Sequence, residues 1–190
     1  MKFLSEAVCA WRGFYQLKIC PIIFRRNIKG RMLSRIGKLS SLKVRKGGSI
    51  RSDVGLKVGS FASLSALNGG SIILGRNIGI GDNCRIIAHR SITIQDGTML
   101  APNVFIYDHD HDFRAGLREM KYKTDSVSIG ANCWIGANVV ILKGTQIGDN
   151  CVVGAGSVIS GSYPANSVIV QKRETTIIPY RGEKNEGFVL

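Results

Sequence analysis

The sequence has few acidic residues, few prolines and no long apolar run. Of its 190 residues only 13 are Asp or Glu, against 26 Lys or Arg, and only four are Pro and three His. No uninterrupted apolar stretch reaches the roughly 18 residues that a membrane-spanning helix needs. We therefore expect one domain with its own core, and neither a membrane span nor an ordinary signal peptide.

Cysteine is present in an odd number and without paired spacing. The chain has five cysteines and no CxxC motif, so it carries neither a short disulfide framework nor a common zinc-binding pattern. We interpret them as reduced thiols and expect a cytoplasmic protein.

The excess of positive charge is concentrated at the N-terminus. Residues 1–46 contain twelve basic residues and one acidic residue, Glu6, so they carry +11 of the net charge of +13. Apolar residues at helical spacing predict an amphipathic helix over 3–17, which Pro21 ends. We treat residues 1–45 as a basic amphipathic N-terminal segment.

Three interpretations of this segment remain open. The helix caps the end of the body and its charges are solvated, or it attaches to anionic lipid at the inner face of the cytoplasmic membrane. The third is nucleic-acid binding, which we do not expect because no recognised binding motif accompanies the charge.

From about residue 46 the sequence repeats every six residues. Six apolar residues follow one another at this spacing without a slip: Ile129, Ile135, Ile141, Ile147, Val153 and Ile159. Such a pattern predicts a short strand and a tight turn, repeated so that three hexads close one triangular coil of 18 residues. Each inward residue then stacks on its counterpart one coil away, which also makes Cys133 and Cys151 structural.

The stretch IGANCWIGANVVILKGTQIGDNCVVGAGSVI resembles the hexapeptide-repeat acyltransferases, in particular their sugar O-acetyltransferase branch. The periodicity itself does not give the hand of the coil, and strand-crossover chirality favours a right-handed one. The resemblance instead implies an all-β fold, a left-handed parallel β-helix over 46–172, with acetyl-CoA as donor, a homotrimer as the assembly and no metal requirement. Residues 173–190 are then a C-terminal tail.

The repeat fails over 107–126, which predicts a loop that leaves the coil. It holds the alternating sequence Asp108-His109-Asp110-His111-Asp112. A solvated polar loop, a metal site and a general base are the three interpretations, and adjacent alternating ligands do not readily converge on one ion. Because loops on a rigid scaffold tend to carry function, we favour the base.

The segment APNVFIYDHDH is similar to the family motif that ends in the catalytic His. The resemblance makes His111 the base that takes the proton from the acceptor hydroxyl, with His109 as an accessory contact or alternative base. Asp108 and Asp110 are expected to orient a ring or contact the acceptor.

The resemblance also assigns residues to the acyl donor. It makes the Ala137 amide the oxyanion donor and the Ala155 amide a contact to pantetheine, with Trp134 near the pantetheine or the acceptor. The family's usual lysine after GAGSV is missing, so Lys172 and Arg173 are the substitutes for binding the phosphates. Asn83 and His89 lie in the segment that holds the acceptor sugar in relatives.

We therefore expect transfer of acetyl from acetyl-CoA to a sugar hydroxyl, in the synthesis of a surface polysaccharide. Transfer to an amino sugar, or of a longer acyl chain, is the alternative within the same class. A metal protein resembling the γ-type carbonic anhydrases and a non-catalytic solenoid are alternatives from other classes.

Overall fold

A computed structural model describes residues 2–19, 27–30, 34–115, 121–172 and 174–177. It opens with helix α1 (Lys2–Phe14) and a π-helical turn (Tyr15–Ile19), after which the chain winds into a solenoid of short parallel strands. No helix in these described ranges is long and apolar enough to cross a membrane.

The solenoid has three faces, each a parallel sheet. Face 1 contains β1 (Ile28–Gly30), β4 (Ser49–Ser52), β7 (Ser71–Leu74), β10 (Ser91–Ile94), β15 (Val127–Ile129), β18 (Gln146–Ile147) and β21 (Ser162–Tyr163). Face 2 contains β2 (Arg35–Ile36), β5 (Lys57–Val58), β8 (Gly79–Ile80), β11 (Met99–Leu100), β16 (Trp134–Ile135), β19 (Val152–Val153) and β22 (Val168–Ile169). Face 3 contains β3 (Ser41–Val44), β6 (Ser63–Ala66), β9 (Arg85–Ala88), β12 (Phe105–Tyr107), β17 (Val140–Ile141) and β20 (Val158–Ile159).

The core consists of the predicted columns of inward side chains. On face 2 the pairing register stacks one buried residue of each coil on the next: Ile36, Val58, Ile80, Leu100, Ile135, Val153 and Ile169. Burying an aliphatic side chain of this size contributes about 1.5–3 kcal/mol, and no single coil buries it alone. The predicted fold class, a left-handed parallel β-helix with an N-terminal helix, is confirmed.

The solenoid begins earlier than the hexad pattern predicts. Strands β1 to β3 pair in register with the second coil, and Ile28 lies opposite Ile50, 22 residues later. The coil between Ile129 and Ile147 has the expected 18 residues. Residues 28–44 therefore lie in the coil although we expected it from residue 46, because longer sides in the first coils hide a repeat of fixed length.

Asparagine is the most frequent residue with a positive φ at the described corners between faces. Eight asparagines have a positive φ, at Asn68, Asn77, Asn83, Asn103, Asn132, Asn138, Asn150 and Asn166. Asn adopts this left-handed conformation more easily than other residues with a side chain, as the third position of a tight turn requires. At the far end of face 3, the Gln171 side chain closes the exposed edge by donating to Val158 O and accepting from Val158 N–H, at 2.6 and 2.9 Å.

Candidate active site

The interruption of the coil is an antiparallel hairpin. Between β12 and β15 the chain forms β13 (His109–His111), a short 3₁₀ turn (Phe113–Ala115) and β14 (Tyr122–Thr124). The hairpin projects from the corner that joins face 3 to face 1, which we call the histidine corner. The pairing register sets His111 opposite Tyr122.

Strand geometry explains the alternating sequence of the hairpin. Because side chains alternate along a strand, His109 and His111 point to one side of β13 and Asp110 points to the other. The Asp110 carboxylate lies 3.2 Å from Lys143 Nζ on the next coil, which ties the hairpin to the solenoid. Asp110 therefore does not orient an imidazole ring, contrary to one of our expectations.

Asp108 is a buried carboxylate that holds neighbouring groups of the site in place. Its side chain is fully buried and accepts hydrogen bonds from the backbone N–H groups of His89 and Arg90, at 2.8 and 2.7 Å. Burial alone would raise the pKa of this carboxyl, but the hydrogen bonds from His109, His89 and Arg90 outweigh burial and lower the pKa. An ionised, buried Asp108 serves to position its neighbours and does not reach an acceptor.

Asp108 also determines the tautomer of His109. The distance between His109 Nδ1 and Asp108 Oδ1 is 3.2 Å. Because an ionised carboxylate only accepts hydrogen bonds, Nδ1 carries the proton and Nε2 of a neutral ring keeps its lone pair. The side chain of His109 is 12% exposed, whereas His111 is exposed.

Four aromatic rings meet at this corner. The ring centroid of His89 lies 4.1 Å from that of His109 and 4.2 Å from that of Tyr122, and the centroid of His111 lies 4.8 Å from that of Tyr122. Desolvation of His89, followed by the repulsion that a protonated His109 would exert, lowers the pKa of His89 and so favours its neutral form. Sequence reasoning missed Tyr122, which only the hairpin register brings to the histidines.

Stacking of coils brings His89 to the site. Ile87 pairs with Tyr107 on the next coil, so His89 and His109 occupy equivalent positions after their strands. Asn68, from the coil below, places Nδ2 3.2 Å from His89 Nδ1. The structure thus groups the rings of His89, His109 and His111 around Tyr122.

The predicted amide donors lie at a different corner, between face 2 and face 3, which we call the amide corner. At three other turns the amide after the coil glycine donates to an Asp carboxylate of the next coil. The pairs are Ser60–Asp82, in an earlier coil of the same corner, and Arg76–Asp96 and Ala131–Asp149, between face 1 and face 2. Above Ala137 the next coil instead has Ala155. No described residue accepts from the N–H of Ala137 or Ala155, so both amides remain available.

The other predicted residues lie outside the histidine corner. Trp134 is 52% exposed on face 2, next to the amide corner. Asn83 lies in a turn of the amide corner. Its Nδ2 donates to Oδ1 of Asn103, in the equivalent turn of the next coil, at 2.8 Å. Lys172 is exposed beyond the last strand, and Arg173 lies outside the described residues.

Three cysteines, Cys84, Cys133 and Cys151, are buried in the solenoid and are structural. Cys133 and Cys151 are buried one coil apart, as predicted, and burial raises the pKa of Cys133 and of Cys84. Within the described part of the chain, no three His, Cys, Asp or Glu side chains are arranged to hold a metal ion.

With this geometry established, comparison with known proteins identifies the family. Residues 126–161 match the family model for the bacterial transferase hexapeptide (six repeats). A protein of Escherichia coli (strain K12) assigned to lipopolysaccharide biosynthesis as an O-acetyl transferase, WbbJ, is 34% identical over 152 residues, which are 74% of this chain and 76% of that protein. The chain therefore belongs to the hexapeptide-repeat acyltransferases, and the prediction of an acyltransferase is confirmed.

Other similarities are shorter or concern the fold alone. The galactoside O-acetyltransferase of Escherichia coli (strain K12) is 39% identical over 101 residues, 53% of this chain and half of that protein. The solved structure of the polySia-specific acetyltransferase NeuO has a TM-score of 0.59, with 21% identity, and covers 83% of this chain and 81% of that one. At this identity the structural similarity supports the fold only.

Proposed function

We propose that the chain transfers an acetyl group from acetyl-CoA to a sugar hydroxyl on a precursor of a surface polysaccharide. The observation that carries the proposal is the imidazole pair on a hairpin that buried Asp108 anchors, in a chain related to O-acetyltransferases. We propose that the reaction takes place in the cytoplasm, where acetyl-CoA is available.

In this mechanism His111 is the base. The hydroxyl oxygen attacks the thioester carbonyl, a C–O bond forms, and the hydroxyl proton moves to the imidazole. The tetrahedral oxyanion accepts a hydrogen bond from the Ala137 amide. The C–S bond then breaks and CoA leaves as a thiolate that the imidazolium protonates.

Exposure favours His111 over His109 as the base. A base must contact the acceptor, and the exposed ring of His111 is accessible, whereas His109 is largely covered by its neighbours. His109 has the carboxylate partner that a catalytic imidazole often has, so it is the alternative base. In our assignment it is a positioning residue that acts through Tyr122, at a ring-centroid distance of 5.3 Å.

Acetyl transfer is tested by incubating the protein with acetyl-CoA and a panel of nucleotide-linked and lipid-linked sugars. We expect acceptor-dependent release of free thiol and a product whose acetyl group is removed by mild alkali, because it is an ester. An alkali-stable amide would show transfer to nitrogen and contradict the proposal. Absence of thiol release with every acceptor would favour a non-catalytic solenoid.

We further propose a homotrimer in which two copies form each site. The histidine corner and the amide corner lie at opposite ends of face 3, about six residues of extended chain or roughly 15–20 Å apart. This separation exceeds the reach of one acetyl thioester. Rotational symmetry about an axis parallel to the solenoid would set the histidine corner of one copy against the amide corner of the next.

Exposed apolar side chains support this packing. Face 2 carries a column of exposed residues next to the amide corner: Met99, Trp134, Val152 and Val168. In the first two coils the same ladder positions hold the exposed cations Arg35 and Lys57. An apolar patch of this kind is typical of a surface between subunits. Donor contacts from Trp134, Ala155 and Lys172 belong to the same proposal.

A mixing experiment tests the shared site. Inactive His111→Ala chains and inactive Ala137→Pro chains, co-expressed with different tags, are expected to assemble mixed trimers that regain activity. If each site takes one corner from each of two copies, about a third of the sites are intact in every trimer that contains both variants, because only one of its interfaces joins two unaltered corners. Trimers of either variant alone are the controls. Mixed trimers that stay inactive would place both corners' functions in one chain or exclude the proposed assembly.

A further inference from the structure

Helix α1 and the π-helical turn that follows it pack against the first coil by one side. Gly13 and Leu17 are buried, and Gly30 on β1 leaves space for the methyl groups of Leu17. The Gln16 side chain donates to Ser40 O at 3.2 Å. These contacts hold α1 across the first coil and fix which side of the helix faces outward.

The outward side of α1 is apolar. Ala7, Val8, Trp11 and Phe14 are exposed, with Trp11 at 62% and Phe14 at 52%. The ring of Trp11 stacks on that of Tyr15, with centroids 5.7 Å apart. Four residues of this type on one helical face, with no covering residue among those described, form a surface suited to an apolar environment.

Helix α1 packs against the first coil, and the first two coils are rich in exposed cations. Eight exposed basic residues lie in the first two coils: Lys29, Arg35, Lys38, Lys43, Arg45, Lys46, Arg51 and Lys57. Over the described part of residues 2–58, Glu6 and Asp53 are the acidic residues, and Glu6 lies 4.0 Å from Arg35. The end of the solenoid that carries α1 is therefore strongly positive.

We propose that the outward face of α1 (Ala7, Val8, Trp11 and Phe14), with these cations, binds the surface of a membrane containing anionic phospholipid. Apolar and aromatic side chains insert at the headgroup boundary while Lys and Arg pair with lipid phosphates. A second copy fits less well, because two positive surfaces would repel. A nucleic acid would pair with the cations but leave the apolar face exposed to water.

The test is co-sedimentation of the full chain with vesicles, without acetyl-CoA, so the result is independent of the proposed reaction. Wild type is compared on mixed phosphatidylcholine–phosphatidylglycerol vesicles and on pure phosphatidylcholine vesicles. The variant Trp11→Ser/Phe14→Ser removes exposed side chains only, so α1 should keep its contacts. Phe113→Ser/Ile177→Ser, at two exposed positions distant in sequence from α1, is the matched control.

We expect wild type and control to bind the anionic vesicles and the helix variant to bind at least about tenfold more weakly. Binding should decrease as salt rises and be weak on neutral vesicles. Equal binding by the helix variant, or no binding by wild type, overturns the proposal. The proposal is also overturned if the protein does not bind vesicles and the helix substitutions change its mass in solution, because α1 would then contact a second copy. Binding to RNA but not to vesicles would overturn it as well.

Discussion

His111→Ala should lower kcat for acceptor-dependent acetyl transfer at least about a hundredfold, because a positioned base contributes about 10²–10⁴. The acceptor hydroxyl would have to lose its proton to water. The side chain is exposed and has no hydrogen bond in the described structure, so the stability of the fold should change little. The measurement is the initial rate of thiol release over a range of acceptor concentrations.

Chemical rescue distinguishes a base from a structural residue. Added imidazole should restore part of the rate of His111→Ala, because the lost group is a proton acceptor. His109→Ala should lose less activity than His111→Ala, since His109 acts through Tyr122. A larger loss in His109→Ala, with rescue by imidazole in that variant alone, would assign the base to the ring that Asp108 holds.

Ala137→Pro should lower kcat about 10²–10³-fold, the usual effect of removing one oxyanion donor. The substitution deletes the amide hydrogen at the amide corner and little else. Pro102 already occupies the equivalent turn position one coil earlier, where Asn103 and Asn138 have matching φ values of 59° and 58°. The turn therefore accepts proline, and the melting temperature should stay close to that of wild type.

Two controls accompany this variant. Ala137→Gly keeps the amide hydrogen and should keep most of the activity. Ala165→Pro deletes the hydrogen of an amide at the same turn position on another corner, before Asn166 with a φ of 61°, and should leave kcat unchanged. If Ala137→Pro folds normally and retains its kcat, the oxyanion is stabilised elsewhere and our mechanism is wrong at this step.

Part of the fold could be predicted from the sequence because the solenoid is locally periodic. Every residue of the series from Ile129 to Ile159 is buried, since each repeats the same strand and turn. The first coil was not predicted from the hexads, because its sides are longer and one apolar residue every six no longer marks them.

The site was predictable in part. The break in the period located the hairpin, and the motif resemblance selected the histidines. The contacts of Asp110 and Asn83 could not be predicted from the sequence, because they depend on strand alternation and on the stacking of turns. Asp110 instead pairs with Lys143, and Asn83 with Asn103. Tyr122 had no signal in the sequence at all.

The sequence by itself determined the repeating coil, its inward columns and the place where the coil is interrupted, because these depend on residues six apart. Only the tertiary structure decided that Asp108 is buried beneath His109, that His89 and Tyr122 join the histidines, and that the amide donors lie at another corner. Such contacts join residues of different coils. They depend on how many residues each coil contains, and that number changes along the chain.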